Sequence, residues 1–261
     1  LPGPHFDPCA GCLDYQAGHI PGAYFLDLEK DLSGDISPST GRHPLPKWGD
    51  FIARMEGIGL TKSRQVVIYD DSGSMLAARL WWMLKHWLGH RSVYVLDGGY
   101  GAWCAENMAV TLSLPQTVNT RADYCENKEA LLSLSQVRLI VEGREAGLLV
   151  DARAPRRFSG EEEPVDPVAG HIPGAVNIPA GENIGPDKKF LPAAVLKQRF
   201  EGFVQQADSA QNIVHYCGSG VTACHNLLAM ELAGFSHSKL YAGSWSEWIR
   251  EKEHPVAIGE S

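Results

Sequence analysis

Short apolar runs alternate with longer segments of helical spacing along this chain. The apolar runs are Val66–Tyr69, Val93–Leu96, Leu148–Val150 and Ile213–Tyr216, and the helical segments include Ser74–Leu88, Leu191–Ala207 and Thr222–Ala233. Strands that alternate with helices predict an α/β fold, in which a parallel sheet is flanked by helices on both faces. Ligands of such sheets bind beyond the carboxyl ends of the strands. The residues directly after Tyr69 and Tyr216 are therefore the first place to look for a functional site.

A repeated heptapeptide indicates that the chain contains a duplication. The sequence Ala-Gly-His-Ile-Pro-Gly-Ala occurs at Ala17–Ala23 and again at Ala169–Ala175. Further matching segments follow in the same order in both halves, such as Val66–Asp70 and Ile213–Cys217. The period is far longer than the roughly 20 to 50 residues of solenoid repeats. We therefore predict two tandem copies of one domain, over residues 1–118 and 119–261.

The two predicted domains differ at their starts. The second has a helical stretch at Gln136–Glu145 and an apolar strand at Leu148–Asp151 ahead of its heptapeptide, and the first has no counterpart. The first domain is therefore expected to lack its N-terminal strand. Between the halves, Leu112–Asn127 is polar and contains Pro115, which predicts a linker that runs into a short strand.

Composition excludes several classes of protein. The chain has 261 residues, of which 44% are hydrophobic, and a formal charge of -8. Its longest apolar stretch is interrupted by charged residues, so no membrane-spanning helix is expected. The acidic balance provides no basic surface for nucleic acid. Six cysteines are too few for a disulfide scaffold in a chain of this length, which favours a reducing compartment such as the cytoplasm, or the mitochondrial matrix in a eukaryote.

No metal or organic cofactor is expected. Cys9 and Cys12 form a single C-x-x-C pair in a loop rich in proline and glycine, and no second pair is present to complete a zinc site.

A cysteine follows the strand Ile213–Tyr216 at the turn into the next helix. The turn reads Cys217-Gly218-Ser219-Gly220-Val221-Thr222. Two glycines in four residues let successive backbone N–H groups point inward, and the helix N-terminus adds its positive dipole. These groups would stabilise a thiolate, which predicts that Cys217 is a nucleophile. The alternative is a small buried hydrophobe, but such a residue needs no flanking glycines, and the first half has Asp70 at this position.

Together, these motifs resemble those of the tandem-domain sulfurtransferases of the rhodanese superfamily. The resemblance rests on both heptapeptides, on the Cys217 loop and on Gly243-Ser244-Trp245-Ser246-Glu247-Trp248, and it covers nearly the whole chain. It implies two rhodanese-like domains, of which the first is inactive. It also implies that Cys217 accepts a sulfane sulfur as a persulfide and passes it to cyanide or to a thiol. A low-molecular-weight thiol or a reduced thioredoxin-like protein would be the acceptor.

The loop also bears on which substrate the protein takes. Related phosphatases carry an arginine six residues after the cysteine, and Ala223 stands there in this chain, which argues against a phosphatase. Members that prefer thiosulfate have two basic residues where this chain has Gly218 and Ser219. The loop instead resembles that of members that use 3-mercaptopyruvate. We therefore expect 3-mercaptopyruvate as the preferred donor and thiosulfate as a poorer one, bound by Arg157 and by the loop residues Gly218, Gly220, Val221 and Thr222.

Arg157 is expected to bind the donor's carboxylate, because Asp151–Gly160 is similar to the corresponding family motif. A second arginine that animal members carry before the second heptapeptide is absent, since Glu163–Pro167 stands there. For proton transfer, the resemblance implies a relay of Ser219 and His43, with the acid of the relay at Glu29. Two other hypotheses remain open at this stage: a carrier that takes sulfur from a protein partner, and a binding module without catalytic activity.

Overall fold

Two compact units make up the computed structural model, which describes residues 10–259. Unit 1 consists of the described residues up to Asp35 together with Leu45–Asn127. Unit 2 consists of Ile36–Pro44 together with the described residues from Lys128 onward. A short segment from the first half of the chain therefore belongs to the unit that carries Cys217.

Parallel strands and helices alternate in both units, which confirms the predicted α/β fold. Unit 1 contains α1 (Ala10–Ala17), α2 (Trp48–Gly57), β1 (Val66–Ile68), α3 (Ala77–Trp82), which continues as a π-helical turn (Met83–Trp87), β2 (Val93–Val95) and α4 (Gly99–Ala105). Unit 2 contains α5 (Leu134–Val141), β3 (Leu148–Asp151), α6 (Pro155–Phe158), β4 (Val176–Asn177), α7 (Ala193–Gln206), β5 (Ile213–Tyr216), α8 (Ala223–Leu232), β6 (Lys239–Leu240) and α9 (Ser244–Trp248). Short 3-10 turns lie at Lys128–Ala130, Ala180–Asn183 and Ala210–Asn212.

The sheet of unit 2 is parallel throughout, with strand order β4-β3-β5-β6. Leu148 pairs with Ile213 and Asp151 with Tyr216, and all residues of β3 and β5 are buried. Complete burial explains why these two strands read as continuous apolar runs rather than as alternating ones. Both carboxyl ends lie at the same edge of the sheet, and Cys217 directly follows one of them.

Alternate residues of the central strands supply two cores, one on each face of the sheet. Leu149 and Val214 belong to a cluster that includes Trp245 and Trp248. Leu148 and Ile213 belong to a second cluster, which includes Leu196 and Phe200 of α7 and Ala229 and Met230 of α8. Side chains alternate between the faces of a strand, so a one-residue change of register would exchange these two sets. The register of β5, and with it the position of Cys217, is therefore fixed by packing on both faces.

His215 of β5 is a buried histidine, and its burial disfavours the protonated form. Its side chain is fully buried, and its Nε2 lies 3.0 Å from the sulfur of Met230. Burial lowers the pKa of His215 from 6.5 to about 3. Between these two values the unfolded chain binds a proton that the folded chain does not, so His215 reduces stability as the pH falls through this interval.

We expect the variant His215→Leu to lose less stability in acid than the parent protein. One fewer proton bound by the folded state corresponds to about 1.4 kcal/mol per pH unit, or about 2 kcal/mol between about pH 6.5 and about pH 4.5. Urea unfolding at several pH values would measure the difference. Parallel pH profiles for the two proteins would show that His215 does not contribute in this way.

Unit 1 has a smaller sheet. Its two strands, β1 and β2, pair in parallel, and no strand in the described part of the unit occupies the place that β3 has beside β5. Val67 of β1 is 57% exposed. A cavity of about 680 Å³ lies at this position and is lined by all three residues of β1 together with apolar side chains that include Leu26 and Met55.

The linker Leu112–Asn127 runs to a single parallel bridge between Leu131 and Leu240 of β6, in place of the predicted short strand. No residue from 112 to 127 belongs to a strand. The backbone N–H of Thr120 donates to the carbonyl oxygen of Glu56, and the N–H of Ala122 donates to the Glu56 side chain, at 3.1 and 2.8 Å. This stretch therefore satisfies its backbone groups against α2 instead of a sheet, which the local sequence does not reveal.

The repeated heptapeptide folds in the same way in both units. His19 Nδ1 donates to the carbonyl oxygen of Tyr15, and His171 Nδ1 donates to that of Phe158, both at 2.8 Å. Each imidazole also stacks on the ring of the same partner, with centroids 3.8 and 3.7 Å apart. These histidines hold the turn that contains the heptapeptide, and they do so in the same way in both units.

Within residues 10–259, the helices are too short or too polar to span a membrane.

Candidate active site

Cys217 lies at the carboxyl end of β5, at the turn into α8, and is 2% exposed. The N–H of Gly220 points back to its sulfur, with 3.1 Å between nitrogen and Sγ. Gly220 has φ of +79°, and a Cβ at this position would overlap the carbonyl oxygen of Ala242. Only glycine fits here, so the tight turn that directs an N–H to the cysteine sulfur depends on this residue.

The motif around α9 fixes the backbone of the cysteine loop. The N–H of Cys217 donates to Ser244 Oγ at 3.1 Å. In the opposite direction, the N–H of Trp245 donates to the carbonyl oxygen of Cys217, and the N–H of Ser246 to that of Gly218, at 3.0 and 2.9 Å. The loop therefore has little freedom to move, which keeps the sulfur in one position.

The equivalent loop of unit 1 holds a carboxylate. Asp70 follows β1 as Cys217 follows β5, and its side chain accepts four backbone N–H groups at 2.8 to 3.0 Å, from Ser72, Ser74, Leu76 and Ala77. A turn of this kind is thus able to bind an anion. In unit 1 the anion belongs to the protein itself, whereas unit 2 places a sulfur at the corresponding point.

The segment Ile36–Pro44 packs against the rest of unit 2 beside the cysteine loop. The N–H of Arg42 donates to Ser246 Oγ at 3.0 Å, and Arg250 Nε donates to the carbonyl oxygen of Thr40 at 3.1 Å. These contacts bring His43 to Ser219, where His43 Nδ1 and Ser219 Oγ are joined by a hydrogen bond of 2.7 Å. Two of the predicted relay residues are therefore adjacent, although 176 positions separate them in the sequence.

Two guanidinium groups approach Gly218, the residue after the cysteine. An ideal Cβ built on Gly218 would lie 2.9 Å from Arg42 Nη2 and 3.5 Å from Arg157 Nη2. Sequence reasoning had identified Arg157 but missed Arg42, although Arg42 directly precedes the predicted His43. Burial, followed by the neighbouring charge of Arg157, lowers the pKa of Arg42. The two guanidinium groups lie close together, and their positive charges favour the binding of an anion between them.

Buried carboxylates hold the arginines of the site. Arg157 Nη2 contacts Glu163 Oε1 at 2.7 Å and Asp166 Oδ2 at 3.1 Å. Arg153 Nη1 contacts Glu163 Oε2 at 3.2 Å, and Arg153 Nη2 contacts Asp151 Oδ2 at 2.6 Å. Burial alone would lower the pKa of Arg153, but the Asp151 carboxylate outweighs it, and the pKa is raised. The acidic segment Glu163–Pro167, in which the expected second arginine is absent, therefore positions arginines from other parts of the chain.

The remaining predicted site residues lie in two places. Gly218, Gly220 and Val221 are buried in the cysteine loop, and Thr222 is the last residue before α8. Glu29 is an exposed residue of unit 1, where its N–H donates to Asp27 Oδ1 at 2.9 Å. Its assignment to the relay of His43 and Ser219 stays a prediction.

No group of three or more candidate metal ligands occurs among the described residues. Cys9, one half of the C-x-x-C pair, lies outside them, and Cys12 has a free thiol.

Comparison with protein families gives a match in both units. The model of the rhodanese-like domain matches residues 12–106 and again residues 133–251. The two matches correspond to the two halves that the heptapeptide defines, and they include the segment around His43 as well as the Cys217 loop.

Individual proteins are similar over most of the chain. A probable 3-mercaptopyruvate sulfurtransferase of Pseudomonas aeruginosa is 48% identical over 97% of this chain and 89% of its own length. A putative thiosulfate sulfurtransferase of Mycobacterium tuberculosis is 37% identical over 95% of this chain and 86% of its own length. The structure of 3-mercaptopyruvate sulfurtransferase from Leishmania major superposes with a TM-score of 0.77 at 29% identity, over 92% of this chain and 66% of the other.

Proposed function

Because the chain belongs to the rhodanese family, with two rhodanese-like domains, we propose that it is a sulfurtransferase that uses Cys217 as its nucleophile. The preferred donor is 3-mercaptopyruvate, and thiosulfate is a poorer one. A persulfide on Cys217 carries the sulfur between the two half-reactions. The names of the relatives from Pseudomonas aeruginosa and Leishmania major support this choice of donor.

One observation carries the proposal more than any other. A buried cysteine, with a backbone N–H directed at its sulfur, lies next to two guanidinium groups that approach the adjacent Gly218. Hydrogen-bond donors of this kind stabilise a thiolate, and a sulfur donor that bears a carboxylate needs at least one cation to orient it. Both requirements are met within the same loop.

In the first half-reaction, the Cys217 thiolate attacks the sulfur atom of the donor. A sulfur–sulfur bond forms, and the carbon–sulfur bond of mercaptopyruvate breaks with its electron pair remaining on carbon. The product is the enolate of pyruvate, which takes up a proton. Arg42 and Arg157 bind the carboxylate of the donor, so that its sulfur is directed at Cys217. With thiosulfate, the sulfur–sulfur bond of the donor breaks and sulfite leaves.

Ser219 and His43 supply the proton that the enolate needs. Their hydrogen bond of 2.7 Å lets a proton move from the imidazole to the hydroxyl as the hydroxyl gives up its own. Glu29 is the proposed acid that orients His43. Ser219 is 7% exposed, so the hydroxyl lies in a largely water-excluded environment beside the nucleophile.

In the second half-reaction, an acceptor thiolate or cyanide attacks the outer sulfur of the persulfide. The sulfur–sulfur bond on Cys217 breaks, and the Cys217 thiolate is regenerated. A low-molecular-weight thiol or a reduced thioredoxin-like protein would serve as the acceptor. Cys217 and a thiol acceptor must both stay reduced, which a reducing compartment such as the cytoplasm allows.

Thiosulfate is the second candidate donor, and two observations favour keeping it. The relative from Mycobacterium tuberculosis is named a putative thiosulfate sulfurtransferase. In addition, the second guanidinium, from Arg42, adds positive charge that the loop residues Gly218 and Ser219 do not supply. The donor preference is therefore best tested by measuring both donors with the same enzyme preparation.

Replacing Arg157 with Met is expected to lower kcat/KM for 3-mercaptopyruvate by roughly 10- to 100-fold, because a charge-assisted hydrogen bond contributes about 1.5 to 3 kcal/mol. The loss should lie mainly in KM. Steady-state sulfur transfer to cyanide from each donor measures it.

Arg156→Met is the matched control, because the Arg156 side chain is 64% exposed and contacts only nearby surface glutamates among the described residues. It should leave both parameters within about two-fold of the parent. Equal effects of the two substitutions would contradict a role for Arg157 in donor binding. Unchanged kinetics in Arg157→Met would favour the carrier hypothesis, in which sulfur comes from a protein partner.

A further inference from the structure

Asp166 connects the two arginines that face the cysteine loop. Its side chain is 2% exposed. Oδ1 forms an ion pair with Arg42 Nη1, and Oδ2 contacts Arg157 Nη2 at 3.1 Å. A single buried carboxylate therefore links the segment Ile36–Pro44 to the helix α6 that carries Arg157.

The contacts with Asp166 leave other nitrogens of both guanidiniums available. Arg42 uses Nη1 for Asp166, while its Nη2 is the atom nearest to an ideal Cβ on Gly218, at 2.9 Å. Arg157 Nη1 lies 3.6 Å from the same point and makes no hydrogen bond to any residue that the structure describes. Each arginine thus binds Asp166 on one side and presents a donor nitrogen towards Gly218 on the other.

The charges around the site form an alternating chain of contacts. It runs from Arg42 through Asp166, Arg157, Glu163 and Arg153 to Asp151. Three guanidiniums and three carboxylates contribute, so the chain carries no net charge before a donor binds. Of the two arginines nearest to Gly218, Arg157 also contacts Glu163, and Asp166 is the carboxylate that contacts both arginines.

We propose that Asp166 is a specificity-determining residue, which makes the site selective for donors with a single negative charge. The inference rests on the proposed function and concerns the donor site of that reaction. Asp166 holds both arginines in place and, at the same time, limits the positive charge that they offer. A neutral set of charges accommodates the single negative charge of the mercaptopyruvate carboxylate more readily than the two negative charges of thiosulfate.

The physical basis is the repulsion between Asp166 and a bound anion. The repulsion between two charges is proportional to their product, so Asp166 disfavours a dianion twice as strongly as a monoanion at the same distance. Asp166 is buried, and solvent and salt screen its charge much less than they screen a surface carboxylate. Removing the charge should therefore favour thiosulfate more than mercaptopyruvate.

The test compares the parent protein with Asp166→Asn, which has nearly the same shape but no charge. We expect the ratio of kcat/KM for thiosulfate to kcat/KM for mercaptopyruvate to rise on the order of ten-fold, mainly through a lower KM for thiosulfate. Inhibition by acetate should strengthen by about that factor, and inhibition by sulfate, an unreactive dianion, by about its square, because the dianion gains twice the free energy. A residue with only a structural role would lower the activity with both donors alike.

Two further variants test whether the shift comes from the charge of Asp166. Glu162→Gln removes the same charge from an exposed side chain and should leave the donor ratio unchanged, because Glu162 is 50% exposed and pairs with Arg156. Asp166→Ser removes the charge without placing an amide against either arginine, and it should shift the ratio in the same direction as Asp166→Asn. Thermal unfolding of each variant sets the temperature at which the assays are run.

An unchanged donor ratio in folded Asp166→Asn and Asp166→Ser would overturn the inference, and so would a shift towards mercaptopyruvate. These outcomes differ from failure of the proposed function, in which the parent protein itself transfers sulfur from neither donor. In that case there would be no activity for sulfate or acetate to inhibit. Calorimetry would then measure how tightly the parent and Asp166→Asn bind each anion, and this comparison would test the charge preference by itself.

Discussion

Replacement of Cys217 with Ser is expected to reduce sulfur transfer from either donor by about three orders of magnitude or more, because the nucleophile carries the whole covalent step. A serine hydroxyl fits the same turn, where the N–H of Gly220 points to the side-chain atom of residue 217. It is not ionised near neutral pH, and its oxygen forms no persulfide. The variant should therefore fold normally and fail in chemistry alone.

Steady-state transfer to cyanide, together with thermal unfolding, separates loss of chemistry from loss of structure. Cys104→Ser serves as the control, because Cys104 is an exposed free thiol of unit 1 and has no part in the proposed reaction. It should retain the activity of the parent. Retention of a tenth or more of the activity in Cys217→Ser would show that another group accepts the sulfur.

Replacement of Arg153 with Met is expected to cost about 3 to 5 kcal/mol in the free energy of unfolding of unit 2, because it leaves buried carboxylates without their partner. The Arg153 side chain is 1% exposed, and its contacts Asp151 and Glu163 are 0% and 3% exposed. Arg153 also donates to the carbonyl oxygen of Gly170 at 2.7 Å and stacks on Trp245 with 5.0 Å between its Cζ and the ring centroid.

Urea unfolding measures this loss, and Arg138→Met provides the matched control. Arg138 pairs with Glu142 on the surface of α5, where the two side chains are 52% and 39% exposed, so its replacement should change stability by less than about 1 kcal/mol. A loss in Arg153→Met as small as that of the control would mean that Asp151 and Glu163 find other partners. In that case the alternating chain of charges would not stabilise the unit as described.

Much of the fold follows from the sequence, because its signals are local. The apolar runs that become β3 and β5 are continuous since both strands are buried on both faces. The cysteine loop is also local: two of the three residues after Cys217 are glycines, and the turn they permit lies between one strand and one helix. The bonds of Thr120 and Ala122 to α2 could not be predicted, because their partner is distant in sequence.

The composition of the donor site was harder to predict. Arg42 and Asp166 are 124 positions apart, and their contact depends on how Ile36–Pro44 packs against the rest of unit 2. The predicted division into two consecutive domains, 1–118 and 119–261, assigns this segment to the first domain instead. The sequence showed that an arginine is missing near Glu163–Pro167, but only the structure shows a second guanidinium arriving from another part of the chain, with Asp166 as its partner.

The persulfide on Cys217 is the central claim, and intact-protein mass spectrometry tests it most directly. The protein is incubated with 3-mercaptopyruvate without an acceptor, desalted, and then digested to locate the modification. We predict a mass increase of one sulfur atom per chain, confined to the peptide that contains Cys217, reversed by cyanide and absent from Cys217→Ser. An unmodified Cys217 in protein that still releases pyruvate, or an added sulfur on another cysteine, would contradict the account.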